Sequence, residues 1–306
     1  MQKLLMMSSS KVFKTVNKRL SDFYQIKKYK MDSYLFLSNP LSPILLQAHV
    51  DTVRSKKEPP LTVYGSRFLF GNGVLGADDR AGVYAILAIA EKFLNYKRLP
   101  NILITDDEEI GGIGMRIFCK HTDYKEVEHI KLCLALDRQG CGEYVYYNNI
   151  SDEVKAYVES FGFHEDYGTF SDCELFTDAS QIPSVNLSVG FHNQHTKNER
   201  LHMDELELTI NRVVSMIKDP IKELYPAKGK VVGKYWGGHG NYGHWGNYSW
   251  KDNCIDEKES YKYMEECELC GNFAPLSRAN VDGRMYSICS ECWEYMQYSA
   301  DHKKQP

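Results

Sequence analysis

Four short apolar runs in this chain each end abruptly on residues bearing carboxylates or imidazoles. The run at 44–48 closes on His49-Val50-Asp51, and Asn101–Thr105 closes on Asp106-Asp107-Glu108-Glu109. The run at 131–136 closes on Asp137-Arg138, and 184–189 on Gly190-Phe191-His192-Asn193-Gln194-His195-Thr196. Apolar runs this short, bounded by polar turns, read as strands buried on both faces. A further strand is expected at 34–37. Between them lie helical stretches near 79–95, 152–160, 171–179 and 204–218. Another falls at about 11–24, where Phe13, Val16, Leu20 and Phe23 recur at helical spacing. This alternation predicts a three-layer α/β/α domain with a central mixed, mostly parallel sheet. In open sheets of that kind the functional crevice lies beyond the carboxyl ends of the strands, where these four groups fall.

A fifth group, Gly76-Ala77-Asp78-Asp79-Arg80-Ala81-Gly82, forms a turn entering the 79–95 helix. Each element alone has an ordinary explanation: acidic residues after a strand favour a first helical turn, and Asp78-Asp79 could cap the helix. Together they place too many carboxylates in one crevice for all to stay ionised without cations. Two divalent metals resolve that conflict, since histidine with carboxylate suits zinc and a shared carboxylate suits a closely spaced pair.

His-Val-Asp-Thr-Val at 49–53, Gly-Ala-Asp-Asp-Arg-Ala-Gly at 76–82, Asp-Glu-Glu-Ile-Gly-Gly-Ile-Gly at 107–114, Leu136-Asp137 and His195-Thr196 resemble the co-catalytic zinc exopeptidases. That superfamily includes leucyl-type aminopeptidases, tetrahedral aminopeptidases, peptidase T and related deacylases. The likeness runs over about 40–218 and includes Ser171-Asp172-Cys173-Glu174-Leu175-Phe176 and Ile182-Pro183-Ser184-Val185-Asn186-Leu187. It implies two catalytic zincs bridged by Asp78, with His49 and Asp137 completing one and Glu109 and His195 the other. It implies Glu108 as the general base acting on a metal-bridging water. His192 competes with His195 for the last position, and His195 is preferred for its Thr196 neighbour and for Glu199 a few residues on. Asp51 lies two residues past His49, so on extended chain both side chains point the same way. It is expected to accept the imidazole's second proton.

The likeness has departures. Only 57 residues separate Asp137 from His195, too few for the lid that dipeptidases and carboxypeptidases of the superfamily insert there. Only 26 separate Asp51 from Asp78, so the inserted domain of the tetrahedral aminopeptidases is also missing. The expected activity is cleavage of a peptide or amide bond, of aminopeptidase type. N-acyl or amide deacylation, or a non-catalytic adaptor on a hydrolase-like fold, are the alternatives. Manganese or cobalt could use the same ligands.

Beyond this unit the composition changes. Residues 226–250 hold seven glycines, three tryptophans and no acid, and 226–262 is read as a Gly- and aromatic-rich linker after a catalytic domain at 1–225. Cys267-x-x-Cys270 and Cys289-x-x-Cys292, with 18 residues between the pairs, have the spacing of a four-cysteine structural zinc site. A zinc-ribbon-like module at 263–306 is expected, with Asp282-Gly283 as its hairpin turn. That module carries seven acidic residues against four Lys or Arg. A protein partner therefore suits it better than nucleic acid.

The chain as a whole has net charge −4, and no apolar run approaches membrane-spanning length. The apolar stretch at 4–7 is shorter than a secretory signal core, and the cysteine pattern fits a reducing compartment. A cytoplasmic location without membrane attachment is expected. The oligomeric state is not legible.

Overall fold

A computed structural model describes residues 1–222 except 31–32, 55–60, 95, 98, 149 and 169, together with strand segments at 265–266, 273–274, 277–281 and 284–288. The chain divides into two compact units, Met1–His239 and Gly240–Pro306.

The first unit is built on an eight-stranded sheet. In chain order its strands are β1 (Ile26–Lys30), β2 (Tyr34–Ser38), β3 (Ile44–His49), β6 (Asn101–Thr105), β7 (Leu132–Arg138), β8 (Glu143–Tyr146), β9 (His164–Glu165) and β10 (Ser184–Ser188). They are arranged β1-β2-β6-β3-β7-β10-β8-β9. The central strands β6, β3, β7 and β10 run parallel to one another. The pairs β1–β2, β2–β6 and β10–β8 are antiparallel, which makes the sheet mixed. Every residue of β3, β6 and β10 is buried, as expected for strands covered on both faces.

The period-2 alternation of side chains divides the core. Leu35, Leu37, Ile44, Leu46, Ile102, Ile104, Leu132 and Leu134 pack with α2 (Ser9–Leu20), α3 (Ala77–Phe93) and α7 (Met203–Lys218). The alternate residues Phe36, Leu45, Leu103 and Cys133 meet Met115 and Phe118 of α4 (Ile113–His121) and Phe176 of α6 (Asp172–Ser180). The result is the expected three-layer α/β/α sandwich. Two further helices are α1 (Gln2–Leu5) and α5 (Asp152–Ser160).

A second sheet, ordered β11-β12-β5-β4, is made from β4 (Val63–Tyr64), β5 (Phe68–Gly71), β11 (Phe191–His192) and β12 (Arg200–His202). It was not expected from the sequence, nor were β1, β8, β9 or α4. The stretch expected as helix to residue 24 ends as α-helix at Leu20 and continues as one 3-10 turn.

The second unit contains two antiparallel pairs, β13 (Glu265–Glu266) with β14 (Phe273–Ala274), and β15 (Ser277–Val281) with β16 (Arg284–Ile288). Val281 pairs with Arg284, and the turn expected at 282–283 lies outside the described residues. Cys267, Cys270, Cys289 and Cys292 lie outside the described residues, as does the linker 226–262. No helix among the described residues is long and apolar enough to cross a membrane.

Candidate active site

The parallel register carries the ends of β3, β6, β7 and β10 to one edge of the sheet. β3 ends at His49, beside Thr105 at the end of β6. The chain after β6 turns through Asp107, whose φ of 60° is left-handed, and presents Glu108 and Glu109. Gly82 lets α3 sit against β7, since a Cβ there would stand 2.0 Å from the Leu136 carbonyl oxygen. The backbone at Asp78 and Asp79 is non-helical, which turns both carboxylates inward ahead of the helix proper.

These elements bring His49, Asp51, Asp78, Glu108, Glu109, Asp137 and His195 into one cluster. His49 is fully buried, and its Nδ1 lies 3.1 Å from Asp51 Oδ1. Its Nε2 lies 3.2 Å from Asp78 Oδ1 and 3.3 Å from Asp137 Oδ1. The other oxygen of Asp78 lies 3.1 Å from His195 Nε2, which is also 3.0 Å from Glu109 Oε2. Asp78 therefore reaches one histidine with each carboxylate oxygen. His195 has φ of 64°, and this left-handed turn brings its ring to the crevice. His192 is bonded elsewhere, to Glu205.

Around this centre stand groups that position it. Asp51 accepts the backbone N–H of Glu108 and of Glu109, each at 3.1 Å, so one carboxylate orients both the imidazole and the glutamate pair. Ser171 donates to Asp137 Oδ2 at 3.2 Å, and Asn186 is hydrogen-bonded to both the N–H and the C=O of Asp137. Glu199 accepts the N–H groups of Gly76, Ala77 and Asp78 at 2.8, 2.7 and 3.0 Å. Asp172 accepts from Thr105 Oγ1 and Gln47 Nε2, while its Oδ1 is buried without a hydrogen-bond partner. Asp79 accepts from the amides of His49 and Gly82. Asp172 and Asp79 were not singled out from the sequence as site residues. Both nevertheless lie within motifs that carry the family resemblance, Asp79 in 76–82 and Asp172 in 171–176.

The electrostatics show a surplus of negative charge. Burial and the charges of Asp137, Asp172 and Glu109 push Glu108 up to about 9, although His49 opposes them. Burial, aided by Asp78 and Glu109, pushes Asp137 up to about 6 against the pull of His49. Burial alone would lower both histidines, but the surrounding carboxylates reverse it. Hydrogen bonds to Asp78 and Glu109 lift His195 to about 10, and Asp137, Asp51 and Asp78 lift His49 well above its ordinary value. Burial would raise Asp78, yet its bonds to the two histidines hold it below the usual carboxylate range. Protons here do what a cation would otherwise do.

The donor set fits divalent metal. His49, Asp78 and Glu109 offer ligand atoms all within 4.8 Å of one another, and so do His49, Asp79 and Asp137. Tetrahedral zinc with bonds of ~2.0–2.1 Å needs donors about 3.3 Å apart, and the Nε2-to-carboxylate distances of 3.0–3.3 Å match that.

Residues 37–209, more than half of the chain, match peptidase family M28. A 41-residue stretch is 46% identical to the uncharacterized protein YqjE of Bacillus subtilis, covering 13% of this chain and 11% of that relative. The chain thus matches about a tenth of that relative's length. Among solved structures, the aminopeptidase PepT of Bacillus cereus aligns with a TM-score of 0.57 at 15% identity, covering 71% of this chain and 96% of that one. A tripeptidase of Staphylococcus aureus gives 0.56 at 14% identity, with 71% and 96% covered. The TET1 peptidase of Pyrococcus horikoshii, which assembles into a tetrahedron or an octahedral shell, gives 0.52 at 14% identity, with 71% and 97% covered. At such identities the structures speak to the fold alone, and they share this one. On the family match, the chain belongs to peptidase family M28.

Proposed function

We propose that the chain is a two-zinc exopeptidase of aminopeptidase type. The observation that carries this reading is the double reach of Asp78 to His49 and His195, each of which meets a further carboxylate, Asp137 or Glu109. In this reading His49, Asp78 and Asp137 hold one zinc, and Asp78, Glu109 and His195 hold the other. Zinc bound there supplies Lewis acidity, polarising the scissile carbonyl and making water a nucleophile at neutral pH.

The chain's own groups do the rest. Asp51 accepts the Nδ1 proton of His49, which fixes the tautomer with the Nε2 lone pair toward Asp78 and Asp137. Through the amides of Glu108 and Glu109 the same carboxylate fixes the spacing between base and ligand. Glu108, buried and with a raised proton affinity, takes a proton from the attacking water. It then delivers that proton to the leaving amine nitrogen. Adjacent glutamates thus take different roles, because Glu109 is tied to His195 and Glu108 is not.

The aminopeptidase and tripeptidase names of the structural neighbours support peptide as the substrate class. The short Asp137–His195 connection supports a compact unit acting on a chain end. The four C-terminal cysteines remain the proposed holders of a separate structural zinc. A panel of aminoacyl amides, short peptides and N-acyl amino acids tests the assignment. Glu108→Gln is expected to lower turnover by about 10²–10⁴-fold with zinc content unchanged. Turnover surviving in that variant removes Glu108 from the base role. Cleavage of N-acyl amino acids alone replaces the aminopeptidase reading with a deacylase one.

A further inference from the structure

We propose that His192, His202 and Glu205 form an additional transition-metal site, suited to zinc, at the stem of the loop that carries His195. The three residues come from different elements. Register places Phe191 opposite Leu201 and His192 opposite Arg200 in the β11–β12 pair. His192 and His202 are therefore diagonal neighbours on one face of the small sheet, within reach of each other. Glu205 rises from the first turn of α7 to meet them. Its Oε2 lies 2.6 Å from His192 Nε2 and its Oε1 lies 3.7 Å from His202 Nδ1.

One donor atom from each residue falls in a group spanning no more than 4.8 Å. Both contacts of Glu205 lie within ion-pair distance, but pairing alone does not require two imidazoles and a carboxylate from three elements to converge on one point. The 3.7 Å separation at His202 exceeds a hydrogen bond, yet it lies close to the donor spacing of about 3.3 Å that tetrahedral zinc requires.

The surroundings orient the rings. His202 packs edge-on to Phe68 with centroids 4.5 Å apart and to His192 at 5.0 Å. Arg200, the nearest cation in register, lies over the faces of Phe68 and Phe70 at 5.7 and 5.9 Å. The side chains are 36%, 39% and 27% exposed for His192, His202 and Glu205. The site can therefore load from solvent and keep a water in the fourth position, while two imidazoles and a carboxylate suit zinc over calcium or magnesium.

Its consequence is mechanical. His192 and His202 flank residues 193–201, and that span contains both His195 and Glu199. A metal joining them to α7 closes the stem of this loop on the helix and holds His195 over Glu109. The site shares no ligand with the proposed catalytic pair, so each stands or falls alone.

The test uses the full chain, dialysed at micromolar free zinc and analysed for metal per chain. A His192→Ala/His202→Ala double variant is expected to hold one zinc fewer than wild type, with an unchanged circular dichroism spectrum. The cysteines and the catalytic ligands are unchanged in both chains, and micromolar free zinc keeps those sites loaded, so the difference counts the zinc held by His192, His202 and Glu205. Glu205→Gln preserves side-chain shape and provides the same comparison if the double variant does not fold. It is expected to lose the same zinc, and zinc addition should raise its Tm less than that of wild type. Equal zinc content in wild type and a folded variant overturns the proposal.

Discussion

Replacing Glu199 tests whether the entrance to α3 is held in place by one buried carboxylate. Glu199 is 1% exposed and accepts three consecutive backbone N–H groups, those of Gly76, Ala77 and Asp78. Those amides lie in the non-helical turn that leads into α3, and each buried N–H needs an acceptor. Burial pushes the Glu199 pKa up to about 7, with the three amides pulling against it. In Glu199→Ala the three amides lose their acceptor. Each buried unsatisfied donor costs about 1–3 kcal/mol, and water admitted to the vacated space favours the lower end. The expected loss is about 3–5 kcal/mol, a large share of the roughly 5–15 kcal/mol available to a domain.

Glu199→Gln separates charge from shape. Oε1 accepts from Ala77 and Asp78 and Oε2 from Gly76. An amide oxygen can replace Oε1, but the amide nitrogen then faces the Gly76 N–H as donor against donor. The expected loss is about 2 kcal/mol, smaller than for alanine, and turnover should fall as well because Asp78 belongs to the same turn. Urea unfolding of the full chain, followed by circular dichroism at fixed zinc, measures both variants. An alanine variant within about 1 kcal/mol of wild type would show that these amides find other partners and that Glu199 does not hold the turn.

Two further perturbations follow from single contacts. Gly82→Ala would put a methyl 2.0 Å from the Leu136 carbonyl oxygen and 2.5 Å from Asp79 Oδ1. Since α3 and β7 must separate to admit it, the urea midpoint should fall by the equivalent of about 3 kcal/mol or more. A wild-type midpoint would mean the two elements are not in contact. His129 is half-buried with Nε2 3.1 Å from Asn101 Oδ1, and burial lowers its pKa, with the Glu128 charge opposing. The native state therefore favours the neutral ring. The stability this ring contributes is present above the ordinary value of 6.5 and is lost as pH falls below it and through the lower native value. The drop in urea midpoint from pH 7.5 to 5.5 should be smaller in His129→Gln than in wild type. An equal drop assigns the acid sensitivity to other groups.

What could be read from the sequence depended on how much of each feature is local. β3, β6, β7 and β10 are buried on both faces, so their apolar runs and their sheet class were visible in short windows, and the residues just after them were placed at the crevice by chain connectivity alone. β11, β12, β4 and β5 have two to four residues each, too few to show a period of two. β1 reads Ile-Lys-Lys-Tyr-Lys and looks like solvated coil, yet it pairs along its whole length with β2. α4 was hidden behind Gly111 and Gly112. Its own Gly114 looked like more loop, although a Cβ there would stand 2.3 Å from the Ser33 carbonyl oxygen, so that glycine serves packing.

The same distinction explains the site. A ligand at a strand end is legible because one chain segment positions it. A supporting group is legible only where its partner is local, as His49 is to Asp51; otherwise its role is set by a partner far along the chain. Glu199 serves amides more than 120 positions away, and Asp172 serves Thr105 across 67. The two histidines of the 190–196 segment show the limit most sharply. In sequence they are rivals three residues apart. In the fold, β11 commits His192 to the Glu205 side, while the left-handed backbone at His195 turns that ring to Asp78 and Glu109. The rivalry dissolves because both histidines have carboxylate partners, and these partners lie in different places. A loop anchored at its stem by one histidine can hold the other within 3.1 Å of two carboxylates despite the cost, about 1 kcal/mol or more, of its left-handed backbone.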